Sequence, residues 1–268
     1  MSEDKTAIQE AEAYEKMAES FFRERRSEEA FQAYREAAIL FRAGSEHLRA
    51  ARAFAQAAHA EKVRMGRESA REAAGSSEDA AREAVKAREF AYARWLYREA
   101  GLLYESEGDF ERYSRCFMEA QDTYLVYLRE VMVSGKRQER FDQPPVNISW
   151  LLRLKAACEY AFGQLSRLAW GYGERPFRLM VTVVVIVFLS AGLYMLCGPV
   201  RVHQTIRPVS FDEALYMSGV TFATVGYGDY VPLGWMSRLV AVLEAFGGLF
   251  TLPLFLVALT RRYLRFFR

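Results

Sequence analysis

Residues 224–229 read Thr-Val-Gly-Tyr-Gly-Asp, with Thr221 three positions before the run and Pro232 three after it, so the whole stretch is T-x-x-T-V-G-Y-G-D-x-x-P. The chemistry open to such a run belongs to its backbone. To aim successive carbonyls at one line, the chain must alternate between ordinary and left-handed angles, and Gly226 and Gly228 adopt the latter without steric cost. The competing reading is a glycine-rich turn after a strand. Other constellations are missing: there is no phosphate-binding glycine loop, activated serine or paired-carboxylate arrangement, so an enzyme is not expected. Cys116, Cys158 and Cys197 fall in separate segments without a C-x-x-C pair, which gives no disulfide framework or zinc site. His47 and His59 read as surface or packing residues, and no metal is assigned to them.

The elements that must position residues 224–229 follow from where the charge is absent. The chain has 26% charged residues, yet Leu179 to Cys197 carries none. About twenty apolar residues can cross a bilayer as a helix. Trp235 to Leu259 is a second candidate, interrupted by Arg238 and Glu244. Between them, Phe211 to Ala223 is too short to cross. Ser210 reads as its N-cap, with Asp212 and Glu213 set against the positive helix end. The order is span, short helix, glycine run, span.

That order, together with the T-x-x-T-V-G-Y-G-D-x-x-P run, resembles the two-span potassium channel family over Pro176 to Arg268, about a third of the chain. TVGYG loops are the standard example of filter chemistry, so the mechanism is carried over from the family: carbonyl oxygens replace the hydration shell of the ion. The resemblance implies that Thr224, Val225, Gly226 and Tyr227 bind K+ as the permeant ion, helped by the Thr224 hydroxyl, with Thr221, Gly228 and Asp229 in support. No other cofactor is implied. One filter segment supplies a quarter of a pore, which implies a homotetramer. Where relatives carry paired tryptophans on the pore helix this chain has Tyr216 and Met217, and Val220 stands where some place a glutamate beside the filter aspartate.

Glu244 is the one acidic residue inside either span. It is read either as a filter support behind the pore helix or as a side chain reaching outer water. Gly247, Gly248 and Pro253 interrupt the second span. The resemblance implies a gating hinge at Gly248, and close helix packing is the other explanation. Thr251, Phe255 and Ala258 recur at helical spacing as pore-lining candidates, with Phe255 as the constriction.

The preceding part of the chain is expected to be a cytoplasmic helical-repeat domain over residues 1–135, so the fold class is all-α throughout. Tyr34-Arg35-Glu36-Ala37 recurs as Tyr97-Arg98-Glu99-Ala100, and at the same offset Phe41 matches Tyr104, Phe54 matches Phe117 and Ala57 matches Ala120. Tyr14 to Phe21 also aligns on Tyr34 to Phe41. The Y-x-x-A-A-x-x-F pattern, with Gly44 and Gly108 closing turns, resembles tetratricopeptide repeats and vesicle-fusion attachment proteins. Such a solenoid binds a peptide or another ligand, or assembles with its own copies, and no residue set identifies which.

Residues 136–176 read as a linker with an amphipathic helix from Ile148 to Trp170, and residues 177–268 as the pore domain. Leu151, Leu154, Cys158, Ala161, Leu165 and Leu168 form one stripe, with Arg153, Lys155 and Arg167 available to anionic headgroups. Packing of this helix against the repeat domain is the alternative. Arg175 and Arg178 precede the first span, and Arg261, Arg262, Arg265 and Arg268 follow the second. Both termini are therefore expected on the cytoplasmic side of a cell membrane. The expected activity is K+ conduction gated through the N-terminal repeats; the alternative is a membrane-tethered scaffold whose pore domain drives tetramerisation. No nucleic-acid partner is expected.

Overall fold

The computed structural model describes residues 2–64, 67–138 and 144–266. Its contacts divide the chain into two compact units, Met1–Gln164 and Leu165–Arg268. In the first, helices α1 (Ser2–Arg23), α2 (Ser27–Ala43), α3 (His47–Val63), α4 (Arg67–Lys86), α5 (Phe90–Ser106) and α6 (Phe110–Ser134) follow one another, and each packs on the next.

Four of the turns share one geometry. After α1, α2, α4 and α5 a residue takes the left-handed conformation, at Arg25, Ser45, Arg88 and Gly108. The next amide then reaches back to a carbonyl five residues earlier: Arg26 to Phe21, Glu46 to Phe41, Glu89 to Ala84 and Asp109 to Tyr104, each at 2.9 Å. This is the Schellman closure, which satisfies carbonyls a helix end would otherwise leave free. Arg25 and Arg88 are 63 residues apart, as are Ser45 and Gly108, and the starts of α2 and α5 and of α3 and α6 keep the same spacing. The same spacing therefore relates α2 to α5 and α3 to α6. At the first of the expected glycine turns the left-handed residue is Ser45; Gly44 is small because the Ile8 side chain lies against it.

Alanine and aromatic side chains fill the interior of this unit. Ala37, Ala38, Phe41, Ala50, Ala53, Phe54, Leu96 and Tyr97 are buried in one cluster. Small residues let the helix axes approach, and the large rings fill what remains. His47 Nδ1 lies 2.8 Å from the buried Glu83 carboxylate, and His59 packs against Phe22.

After α6 come the short antiparallel strands β1 (Lys136–Arg137) and β2 (Val146–Asn147), then α7 (Trp150–Trp170). Helix α7 meets α6 through Glu159, which accepts from the Tyr124 hydroxyl at 2.6 Å, and through Gly163, set against Leu125. Leu151, Leu154, Cys158, Ala161, Leu165 and Leu168 all stay exposed on its opposite side. The guanidinium of Arg153 donates to the Met132 carbonyl, so this residue, expected to be open to headgroups, is already engaged on α6.

The second unit contains α8 (Pro176–Leu196), β3 (Val200–Val202), β4 (Thr205–Arg207), α9 (Phe211–Phe222), β5 (Tyr230–Pro232) and α10 (Trp235–Phe266). Two helices, Pro176–Leu196 and the stretch Trp235–Thr260 of α10, are long and apolar enough to cross a membrane. Strands β4-β3-β5 form an antiparallel sheet, so the chain is mostly helical rather than all-α. The exception has a local cause: Val200 and Val202 point inward on either side of exposed Arg201, the period of two that a half-buried strand requires.

Candidate functional site

Helix α9 starts with a reciprocal cap: Glu213 accepts from the Ser210 amide at 3.0 Å while the Ser210 side chain caps the third helical residue. It ends at Phe222, and the chain turns back over its last carbonyls. Thr224 N donates to Thr221 O at 3.0 Å, and Val225 N to Val220 O at 3.0 Å.

From there every second residue is left-handed: Thr224 at φ 56°, Gly226 at 55° and Gly228 at 78°. A β-branched residue in that region is strained, so Thr224 is held there by the hydrogen bond from its amide to the Thr221 carbonyl and by the turn around it. The alternation reorients successive peptide planes, which brings carbonyls that a strand would point to opposite sides toward one side. Tyr227 is 71% exposed on this single chain, and Val225 is exposed beside it.

The run leaves α9 and enters the sheet. Tyr230 pairs with Val202, and the His203 amide donates to the Asp229 carbonyl at 2.9 Å. The Asp229 carboxylate accepts from the Tyr230 amide at 3.1 Å and from the Tyr216 hydroxyl. Tyr216 thus supplies Asp229 with a partner.

Behind α9 lies Glu244, 3% exposed, on α10. The Tyr194 hydroxyl of α8 donates to its Oε2 at 2.7 Å; the Ser218 hydroxyl of α9 is shared between its Oε1 and the Val187 carbonyl, and Ser190 also hydrogen-bonds it. The side chain is turned into the chain rather than toward outer water. A carboxyl group so placed requires hydrogen-bond partners, and three hydroxyls provide them.

Four residues further on, a Cβ added to Gly248 would overlap the Phe222 carbonyl at the end of α9. Gly248 therefore sits at a close approach of α10 and α9, while Gly247 faces open space. Helix α10 continues through Pro253, and the Thr251 hydroxyl donates to the Gly247 carbonyl at 2.6 Å. Thr251 and Phe255 are partly exposed, whereas Ala258 is only 6% exposed within one chain. A residue lining a pore shared between copies should be open on the single copy, which counts against Ala258 in the lining set.

Thr221, Thr224, Val225 and Gly226 are thus gathered at the end of α9, Gly228 and Asp229 at the sheet, and Glu244 and Gly248 along the back of α9; Pro253 and Phe255 lie further down α10. Sequence reasoning passed over Tyr194, Ser190, Ser218 and Arg207, and named Tyr216 without its contact to Asp229. Ser190 and Tyr194 carry a readable signal, since two hydroxyls four residues apart share one face of an otherwise charge-free span. In the repeat unit a cavity of about 390 Å³ is lined by Arg42, Asp79, Arg82, Glu83, Lys86 and Tyr97. Its charges pair with one another: Glu83 accepts from Lys86 at 2.9 Å and meets Arg42 at 3.1 Å, and Arg82 meets Asp79 at 3.7 Å.

The sequence profile described as ion channel matches residues 181–265. The chain is 39% identical over 80 residues to the inward rectifier potassium channel Kirbac3.1 of Paramagnetospirillum magnetotacticum, covering 30% of this chain and 25% of that protein. It is 34% identical over 76 residues to potassium channel subfamily T member 1 of Gallus gallus, covering 28% of this chain and 6% of that one. The chain thus spans a quarter or less of the length of these relatives. No solved structure matches. These likenesses point to a channel rather than an enzyme, and they support a two-span potassium channel pore domain in the C-terminal part of a membrane protein.

Proposed function

We propose that this chain is a subunit of a potassium-selective channel in which four copies surround one conduction path, gated through the N-terminal helices. The observation that carries the reading is the left-handed alternation at Thr224, Gly226 and Gly228 in a run fastened to α9 at one end and to β5 at the other. Thr224, Val225, Gly226 and Tyr227 supply the K+-coordinating oxygens, and cages of backbone carbonyl replace the ion's water. Thr221, Gly228 and Asp229 hold the run in shape, and Glu244 braces α9 from behind.

Gly248 seats α10 on the pore helix, so bending in α10 is assigned to the stretch around Gly247 and Pro253. Thr251 and Phe255 line the cavity below. Residues 1–135 form a tetratricopeptide-like regulatory domain. Residues 136–176 join it to the pore domain, and the exposed stripe of α7 lies against the lipid interface. The termini face the cytoplasm, with Arg175 and Arg178 before the first span and the arginines after the second on that side.

Potassium and sodium flux into liposomes carrying the purified chain, with and without residues 1–143, tests the reading. Potassium-selective flux that changes on deletion supports a channel gated through its repeats. Flux that does not discriminate the two ions refutes it.

A further inference from the structure

We propose that Arg207, Glu213 and Tyr230 form a positioning clamp that fixes the exit of the glycine run to the start of α9, so that the outer hairpin sets the ion selectivity of the pore. The inference rests on the channel reading above and assigns roles to residues outside the run itself.

The run has three left-handed residues and no ladder of hydrogen bonds of its own, so its shape depends on what holds its two ends. The entry is held by the Thr224 and Val225 amides on the last turn of α9. The exit passes directly into β5, whose neighbour β3 belongs to the hairpin β3–β4. Arg207, the last residue of β4, grips Glu213 of α9 with both terminal guanidinium nitrogens, at 2.8 and 2.5 Å. Glu213 at the same time accepts from the Ser210 amide at 3.0 Å and from the Tyr230 hydroxyl at 3.4 Å. Tyr230 is the residue after Asp229, and its ring stands edge-on to Tyr216 of α9 at 5.6 Å. One carboxylate thus joins β4, the cap of α9 and the first residue beyond the run. A planar, bidentate pair of this kind fixes direction as well as distance, which a lone surface charge pair does not.

The clamp also has an acid signature. The groups facing Glu213 are Arg207 from β4, Tyr230 from β5, and Ser210 and Asp212 from its own end of α9; the His203 ring packs on the far side of Tyr230. The Arg207 guanidinium and the Ser210 amide hold the Glu213 carboxyl at about 2, well below the ordinary glutamate value of 4.5. A carboxyl lowered on folding contributes fully above its unfolded value, and the contribution is lost as pH falls through the folded one. The clamp therefore persists across pH 7 to 4 and opens only toward about 2.

The test is the K+/Na+ permeability ratio of the full-length protein in planar bilayers, with the outer side titrated from about pH 7 to 4 across the range where an unpaired glutamate titrates. Wild type, Arg207→Gln, Arg207→Lys and Tyr230→Phe are compared. Wild type should hold a constant ratio. Arg207→Gln should lose about two- to fivefold at neutral pH, the change expected on losing a partly exposed pair. Its ratio should fall further as the pH drops toward 4, because Glu213 then loses the Arg207 guanidinium that is the largest cause of its lowered range, with the Ser210 amide remaining. Arg207→Lys should restore the flat profile, and Tyr230→Phe should lower the ratio and keep the profile flat.

A selective wild type with an Arg207→Gln variant of unchanged ratio and flat profile overturns the clamp alone. A wild type that does not select K+ overturns the channel reading and the clamp with it. If Arg207→Gln yields no conducting protein, Tyr230→Phe decides: it removes a single oxygen, and a wild-type ratio there overturns the clamp.

Discussion

The two units of this chain are built inside out with respect to each other. In residues 2–164 the large rings of Phe31, Phe41, Phe54 and Tyr104 are buried against alanines, and most charged side chains lie outside, with Glu61, Glu78 and Glu83 as buried exceptions. In residues 165–266 the large apolar side chains look outward, Phe177 at 77% and Trp235 at 74% exposure, while Glu244, Ser218 and Ser237 are buried. The first unit packs a core of alanines and large rings within one chain. The second has an apolar exterior suited to lipid and to further copies, and its elements are tied by hydrogen bonds. Stability in the first should follow packing volume, and function in the second should follow single polar contacts and close approaches.

Phe41→Ala should break the first half of that comparison most severely. It empties a fully buried ring position, at a cost of about 3–5 kcal/mol. Urea unfolding followed by circular dichroism should show the loss, while the K+/Na+ ratio of surviving channels stays unchanged. A changed ratio would mean that the two units do not divide their roles this way.

Gly248→Ala pushes a methyl group into the Phe222 carbonyl, and overpacking of this kind costs about 1–3 kcal/mol. The expected outcome is weakened assembly and flux, read by gel filtration in detergent and by liposome uptake. If Gly248 were purely a hinge in open space, assembly would be untouched and only open probability would move.

Glu244→Gln keeps the shape and removes the carboxylate that Tyr194 and Ser218 share, a loss of about 1–3 kcal/mol of hydrogen bonding at a buried site. Selectivity or open probability should fall while the helical content of the repeat unit stays intact. Unchanged selectivity and open probability would end the bracing role.

The smallest effect belongs to the repeat turns. Arg88→Gly relieves a left-handed arginine whose side chain brings no matching gain, and should raise the stability of the repeat unit by about 0.5–1 kcal/mol. A drop would mean that the Arg88 ion pair with Glu130 outweighs the strain.

Much of the second unit could be read from residue order because its determinants are local. An uncharged stretch marks α8, a serine followed by two acids marks the start of α9, and two alternating glycines mark the run. What escaped depended on contacts between distant positions. Nothing near Thr224 announces a left-handed threonine, since the strain is held by Thr221 and the returning chain. The sheet of Val200–Val202 with Tyr230–Pro232 joins strands too short to show a pattern, separated by α9 and the run. Tyr194 and Ser218 meet Glu244 only once three helices are packed. In the repeat unit the sequence match at Tyr34 and Tyr97 was visible, but the shared left-handed turns were not. Three of the four left-handed turn residues are arginine or serine, so a search for glycine passes over them.

The central claim is that the run from Thr224 to Tyr227 is a potassium filter, and the most direct measurement is the reversal potential of the full-length protein in a planar bilayer with K+ on one side and Na+ on the other. The account predicts a potential set by the K+ gradient, lost in a Gly226→Ala variant whose left-handed backbone is no longer free of strain. A conducting wild type that reverses near zero, passing both ions alike, would contradict it.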